Sequence, residues 1–143
     1  MPATLQKILQ KIKTDSTVVE LQGLSGSSKA LVVSMLSQIP EQPAEKIMPL
    51  VVVCESFDVA EVLLNDLYYF FGKEGVHFFP FWDVLPFDNF SPHKGLVAQR
   101  FQTLDALLNS EVRVLITTPN GMMQRFLPRA AFQKNTLSLS TDF

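Results

Sequence analysis

Leu50–Cys54 reads LVVVC, five apolar residues with no polar alternation. Successive side chains of a strand point to opposite faces, so a sheet wetted on one side alternates polar and apolar residues. An unbroken β-branched run marks a strand covered on both faces, the usual state of parallel sheets. Val112–Thr117 (VRVLIT) reads as a further strand. After the first run comes SFDVAEVLLNDLYYFFG, with Ser56 as N-cap, Asp58 and Glu61 near the positive helix end, and Gly72 as the stop. Ala60, Leu63, Leu64, Leu67 and Phe71 recur at helical spacing and form its apolar face.

The remaining chain repeats this alternation. Residues 4–13 predict a helix, Thr17–Leu21 a first strand, and Ser27–Gln38 a helix that stops before Pro40. Residues 40–49 form a proline-punctuated connector, and Val76–Phe79 a further strand. Ser91-Pro92 reads as an N-cap and N1 proline, opening a helix with a Val97, Phe101, Leu104, Leu108 stripe. A short helix is expected at about 120–126, and Thr136–Ser140 as a last strand. Strands alternating with helices at this spacing give an α/β fold, a mostly parallel sheet with helices on both faces. No internal repeat or interior boundary is visible, so residues 1–143 read as one domain.

The balance of side chains narrows the function. Charged residues make up only 18% of the chain and the net charge is −2. Avid nucleic-acid binders carry a basic stripe that neutralises phosphates, whereas here only Arg125, Arg129 and Lys134 cluster. The apolar runs are too short to span a bilayer. A single cysteine, Cys54, excludes an internal disulfide, and a cytoplasmic setting is the expectation.

"GLSGSSKA" (23–30) joins the first predicted strand to its helix, where a G-x-x-x-x-G-K-S/T phosphate loop would sit. Gly23 and Lys29 fit that pattern. Ser28 replaces the second glycine and Ala30 the hydroxyl that ligates Mg²⁺. The apolar strands also lack a terminal acidic pair, so the carboxylate that phosphoryl transfer requires is missing. An ordinary βα turn and a disabled phosphate loop (Gly23, Ser25, Gly26, Ser27, Ser28, Lys29) both stand ahead of an active site. No catalytic residue and no metal site is expected.

"HFFPFWDVLPFDNFSPH" (77–93) concentrates aromatic residues among prolines. Aromatics can stack on bases. Without interleaved Lys or Arg, a ribbon folding them into the edge of the core is the better reading. Asp83 and Asp88 read as solvated turn acids, and His77 and His93 have no metal-ligand spacing. "TTPNGMMQRF" (117–126) is loosely similar to the T-P-G-R segment with which helicase-like motors touch a nucleic-acid backbone.

Together, "GLSGSSKA", "FPFWDVLPFDNFSPH", "VAQRFQTLDALL" and "LITTPNGMMQRFLPR", in this order and spacing, resemble the N-terminal segment of the bacterial transcription-repair coupling factors, the Mfd family. The resemblance runs from about Thr17 to Phe132. It implies a UvrB-like first lobe with the three-layer, P-loop-NTPase-like architecture of a helicase lobe, residues 1–14 being an N-terminal helix and 136–143 the connection to the next domain. It also implies a degenerate, non-hydrolytic phosphate loop, with ATP and Mg²⁺ used only in the motor domains of the parent translocase. UvrA, RNA polymerase and DNA would be engaged through the parent rather than this segment. Phe81, Trp82, Phe87, Phe90, Arg125 and Arg129 are candidates for interdomain or partner contacts. An autonomous P-loop enzyme and a nucleic-acid-binding module are the competing readings. A lobe separated from its neighbours would expose apolar surface, so self-association through 78–90 or 136–143 is expected.

Overall fold

The computed structural model describes residues 18–38, 48–85 and 87–136. Three four-residue strands, β1 (Leu50–Val53), β2 (Val76–Phe79) and β3 (Val114–Thr117), form a parallel sheet in the order β1-β3-β2. Leu50 and Val76 both stand in register with Val114. The helices are α1 (Ser28–Ser37), α2 (Phe57–Phe71), α3 (Lys94–Leu108), α4 (Pro119–Met123) and α5 (Arg129–Asn135). The expected α/β class with a parallel sheet is therefore present.

The two-residue period of the strands sorts the core. Val52, Val76, Phe78, Val114 and Ile116 point to one face and pack with Ala30 of α1 and with Ala60, Leu63 and Leu67 of α2. Leu67, Val114 and Ile116 are fully buried, each contributing roughly 1.5–3 kcal/mol of apolar transfer. The helix forms as its sequence dictates. The Ser56 hydroxyl accepts from the Val59 N–H at 3.3 Å, and Gly72 ends the helix at φ +74°, donating its N–H to the Tyr68 carbonyl. On the other face α3 lies along β2, where Phe79 points.

The structure corrects several details. Residues 18–21 form no strand, and Val18 is 98% exposed. Alternation supplies only a tendency, since a strand exists through its ladder of hydrogen bonds, and nothing among the described residues pairs with this segment. The sheet accordingly has three described strands, and Val112–Arg113 precede β3 instead of belonging to it. Helix α3 starts later than Ser91-Pro92 suggests: His93 is the cap, its Nδ1 accepting from the Gly95 N–H at 3.2 Å. Its buried residues are Arg100, Thr103 and Ala106, while Phe101 of the expected stripe is 40% exposed. The reason is polar satisfaction, because carbonyls at the end of β2 need donors and this helix face supplies them. Helix α5 was not expected. The predicted helix at 4–13 and Leu137–Ser140 of the last predicted strand lie outside the described residues.

Candidate functional site

The parallel strands deliver their C-terminal ends, and the loops that follow, to one edge of the sheet. In open α/β sheets this edge is where ligands bind. Two groups of residues sit there: the glycine turn before α1, and a polar and aromatic cluster built on the ends of β2 and β3.

In the turn, Gly23 and Gly26 have φ of +79° and +53°. A Cβ at either would meet open space, so it is backbone conformation that requires glycine. The loop is closed on itself: the Ser28 N–H and hydroxyl both donate to the Ser25 carbonyl, at 3.2 and 2.7 Å. Ser27 occupies the N-cap without a side-chain hydrogen bond. Lys29 is exposed and close enough to favour the Cys54 thiolate, yet burial dominates and holds the Cys54 pKa above its ordinary value. Burial thus disfavours the thiolate, the nucleophilic form of Cys54.

Ala30 is fully buried among Cys54, Ala60 and Leu63. The position where a phosphate loop carries its metal-binding hydroxyl is here a packing position. Ala30→Thr should therefore destabilise the domain by about 1–3 kcal/mol through overpacking and a buried hydroxyl. Urea unfolding followed by circular dichroism would measure this, and a neutral substitution would mean that position 30 has room for a metal ligand.

The second group is tighter. Thr117, the last residue of β3, donates its hydroxyl to the Phe79 carbonyl at 2.9 Å. Thr118 caps α4, its Oγ1 accepting from the Gly121 N–H at 3.3 Å, with Pro119 at the first helical position. A Cβ at Gly121 would lie 2.6 Å from Thr117 Oγ1 and 3.1 Å from the Phe79 carbonyl. Just past α4, Gln124 uses its side-chain amide as a strand would use its backbone. Its Oε1 accepts from the Trp82 N–H at 2.6 Å, and its Nε2 lies 3.5 Å from the Trp82 carbonyl oxygen, at the limit of a hydrogen bond.

Arg100 fills the centre. It is 1% exposed, with its guanidinium carbon 4.1 Å from the Phe79 ring centroid and 4.5 Å from that of Trp82. Its Nη1 donates to the Pro80 carbonyl and, at 3.4 Å, to Gln124 Oε1. No hydrogen-bond partner meets its Nη2 among the described residues. Burial alone lowers its pKa, and an arginine stays charged in that situation. Two ring faces and two neutral oxygens thus hold a buried cation.

Of the contact residues named from sequence, only Trp82 and Arg125 come together, in the wall of one groove. Phe81 is half-buried, Phe87 and Phe90 are 96% and 79% exposed, and Arg129 is exposed at the start of α5. The edge-of-core reading of the ribbon holds for Phe78 and Phe79 and not for Phe87 and Phe90. Asp88 accepts from the Leu85 N–H at 2.7 Å and closes a local turn, whereas Asp83 accepts from the His93 N–H at 3.3 Å and ties the start of the loop to the cap of α3. Among the described residues no three His, Cys, Asp or Glu side chains converge as metal ligands. No described helix is long and apolar enough to cross a membrane. Sequence reasoning missed Arg100, Gln124, Thr117 and Gly121. The one visible signal was a charged residue within the apolar pattern of α3.

These features define an α/β domain with a parallel sheet whose loop edge carries a self-closed glycine turn and a buried arginine cluster. The chain is 31% identical to the transcription-repair-coupling factor of Rickettsia prowazekii over 78 residues, which is 54% of this chain and 7% of that protein. It is 33% identical to the factor of Haemophilus influenzae over 66 residues, 46% of this chain and 6% of the relative. Against the factor of Escherichia coli it is 38% identical over 56 residues, 39% of this chain and 5% of the relative. These matches bear out the resemblance read from the motifs. The chain spans under a tenth of the length of the curated relatives it matches. No protein-family profile matches it.

Proposed function

We propose that this chain is an interaction and scaffold segment of a transcription-repair coupling factor, forming part of a UvrB-like, helicase-lobe-like domain with a disabled phosphate loop. Fully buried Ala30, where an active loop needs a metal-binding hydroxyl, is the observation that carries this reading. The self-closed Ser25–Ser28 turn supports it, since Ser28 directs its hydroxyl to its own loop instead of leaving the backbone clear for phosphates. In this reading ATP and Mg²⁺ are handled by motor domains elsewhere in the parent protein. UvrA, RNA polymerase and DNA are engaged by the parent, and this segment contributes rigid surface to its neighbouring domains.

Calorimetric titration with ATP and Mg²⁺, paired with a phosphate-release assay, tests the proposal. The expected result is no saturable heat and no turnover above background. Turnover that disappears in Lys29→Ala would overturn it in favour of an autonomous nucleotide hydrolase.

A further inference from the structure

Burying a lone cation is costly unless an anion or a full set of acceptors compensates it. Among the described residues Arg100 has neither, since its Nη2 meets no partner and no carboxylate is bonded to it. It nevertheless lies in the wall of a groove of about 300 Å³, together with Trp82, Phe101, Arg125, Phe126 and Leu127. Arg125 adds a second, exposed positive charge. Phe126, Leu127 and Phe101 are 58%, 44% and 40% exposed, an apolar rim in open water. Phe101 and Leu127 also line an adjoining groove of about 390 Å³ that continues past Asp105 to α5. The charges are therefore ordered, with two arginines at one end and a carboxylate further along.

The geometry points to a docking groove for an extended polypeptide segment that carries a carboxylate side chain flanked by apolar residues. Its Asp or Glu pairs with exposed Arg125 in the field of the buried Arg100 cation, its apolar neighbours cover Phe101, Phe126 and Leu127, and its far end, near Asp105, is neutral or basic. Two grooves in series suit an extended chain better than a small free acid. The apolar lining disfavours a hydrated phosphate backbone, which would lose its solvation without gaining a polar surface. The inference deepens the reading of this chain as an interaction segment by giving the partner's chemistry.

Trp82 is the only tryptophan of the chain, so its emission reports from the groove wall. The full chain is titrated with acetyl-Leu-Glu-Phe-amide and with acetyl-Leu-Gln-Phe-amide. The Glu peptide should change Trp82 emission saturably and bind on the order of tenfold more tightly than the Gln peptide, the usual margin for a charge-assisted hydrogen bond. Arg125→Gln, an exposed change that leaves the fold intact by circular dichroism, should weaken the Glu peptide several-fold and leave the Gln peptide unaffected.

Equal binding of the two peptides, or no response to about 10 mM in a folded protein, overturns the inference. So does tighter binding of a thymidine oligonucleotide, which would assign the groove to nucleic acid. A shift of Trp82 emission with protein concentration alone would assign it to a second copy and overturn it as well. None of these outcomes bears on nucleotide turnover, which tests the underlying reading separately.

Discussion

Arg100→Ala lowers the unfolding free energy by about 4 kcal/mol, which brings a domain of ordinary stability close to its unfolding midpoint. The change removes two cation–π contacts, leaves the Pro80 carbonyl without its donor and opens a cavity beneath Trp82. Arg100→Met should cost less, because it keeps most of the volume and removes the unpaired Nη2 along with the charge. Guanidinium unfolding monitored through Trp82 gives both values. An Arg100→Ala variant within about 1 kcal/mol of the parent would mean that the cluster does not hold the ends of the strands together.

Gly121→Ala is the second large effect, at about 3 kcal/mol. The added methyl would sit 2.6 Å from the Thr117 hydroxyl oxygen, which is fixed by its bond to the Phe79 carbonyl, itself 3.1 Å away. Neither neighbour is the loose end of a flexible side chain, so the whole α4 entry has to move away from β2. Because Gln124 follows α4 and pairs with Trp82, the displacement should also expose the indole. A red-shifted native emission is expected together with the lower midpoint. Gly121→Ala with parental stability would show that α4 can shift without cost.

How much of this was legible in the sequence depended on whether the deciding forces were local. LVVVC and the capped, amphipathic 56–72 segment carried their own instructions, and β1 and α2 formed where those instructions said. The 18–21 segment had the alternation of a strand, but its pairing partner could not be read from the segment itself. The inward face of α3 was misread for a related reason. Apolar periodicity selected Val97 and Phe101, whereas the open carbonyls of Phe78 and Pro80 selected Thr103 and Arg100. Nothing in the α3 sequence announces a need that arises twenty residues earlier in the chain. Likewise the glycine turn's departures from the phosphate-loop pattern are visible in its residue types, while only the fold revealed that Ala30 is a core residue.

The strand order has a consequence for how this chain is made. Among the described residues, β1 and β2 each pair only with β3, the last of the three to be synthesised. Until Val114–Thr117 leaves the ribosome, the two strands wait without the one described partner they pair with, and α2, with the apolar face that will cover them, waits too. Contacts between residues so distant in sequence form slowly, because a long loop must close before any pairing energy is gained. A nascent chain that has emerged only as far as α3 exposes LVVVC and VHFF at once, the kind of surface that chaperones bind and that aggregates recruit. Emergence of β3 gives both waiting strands the partner they pair with here, so the time taken to make the residues between β2 and β3 sets how long they stay exposed.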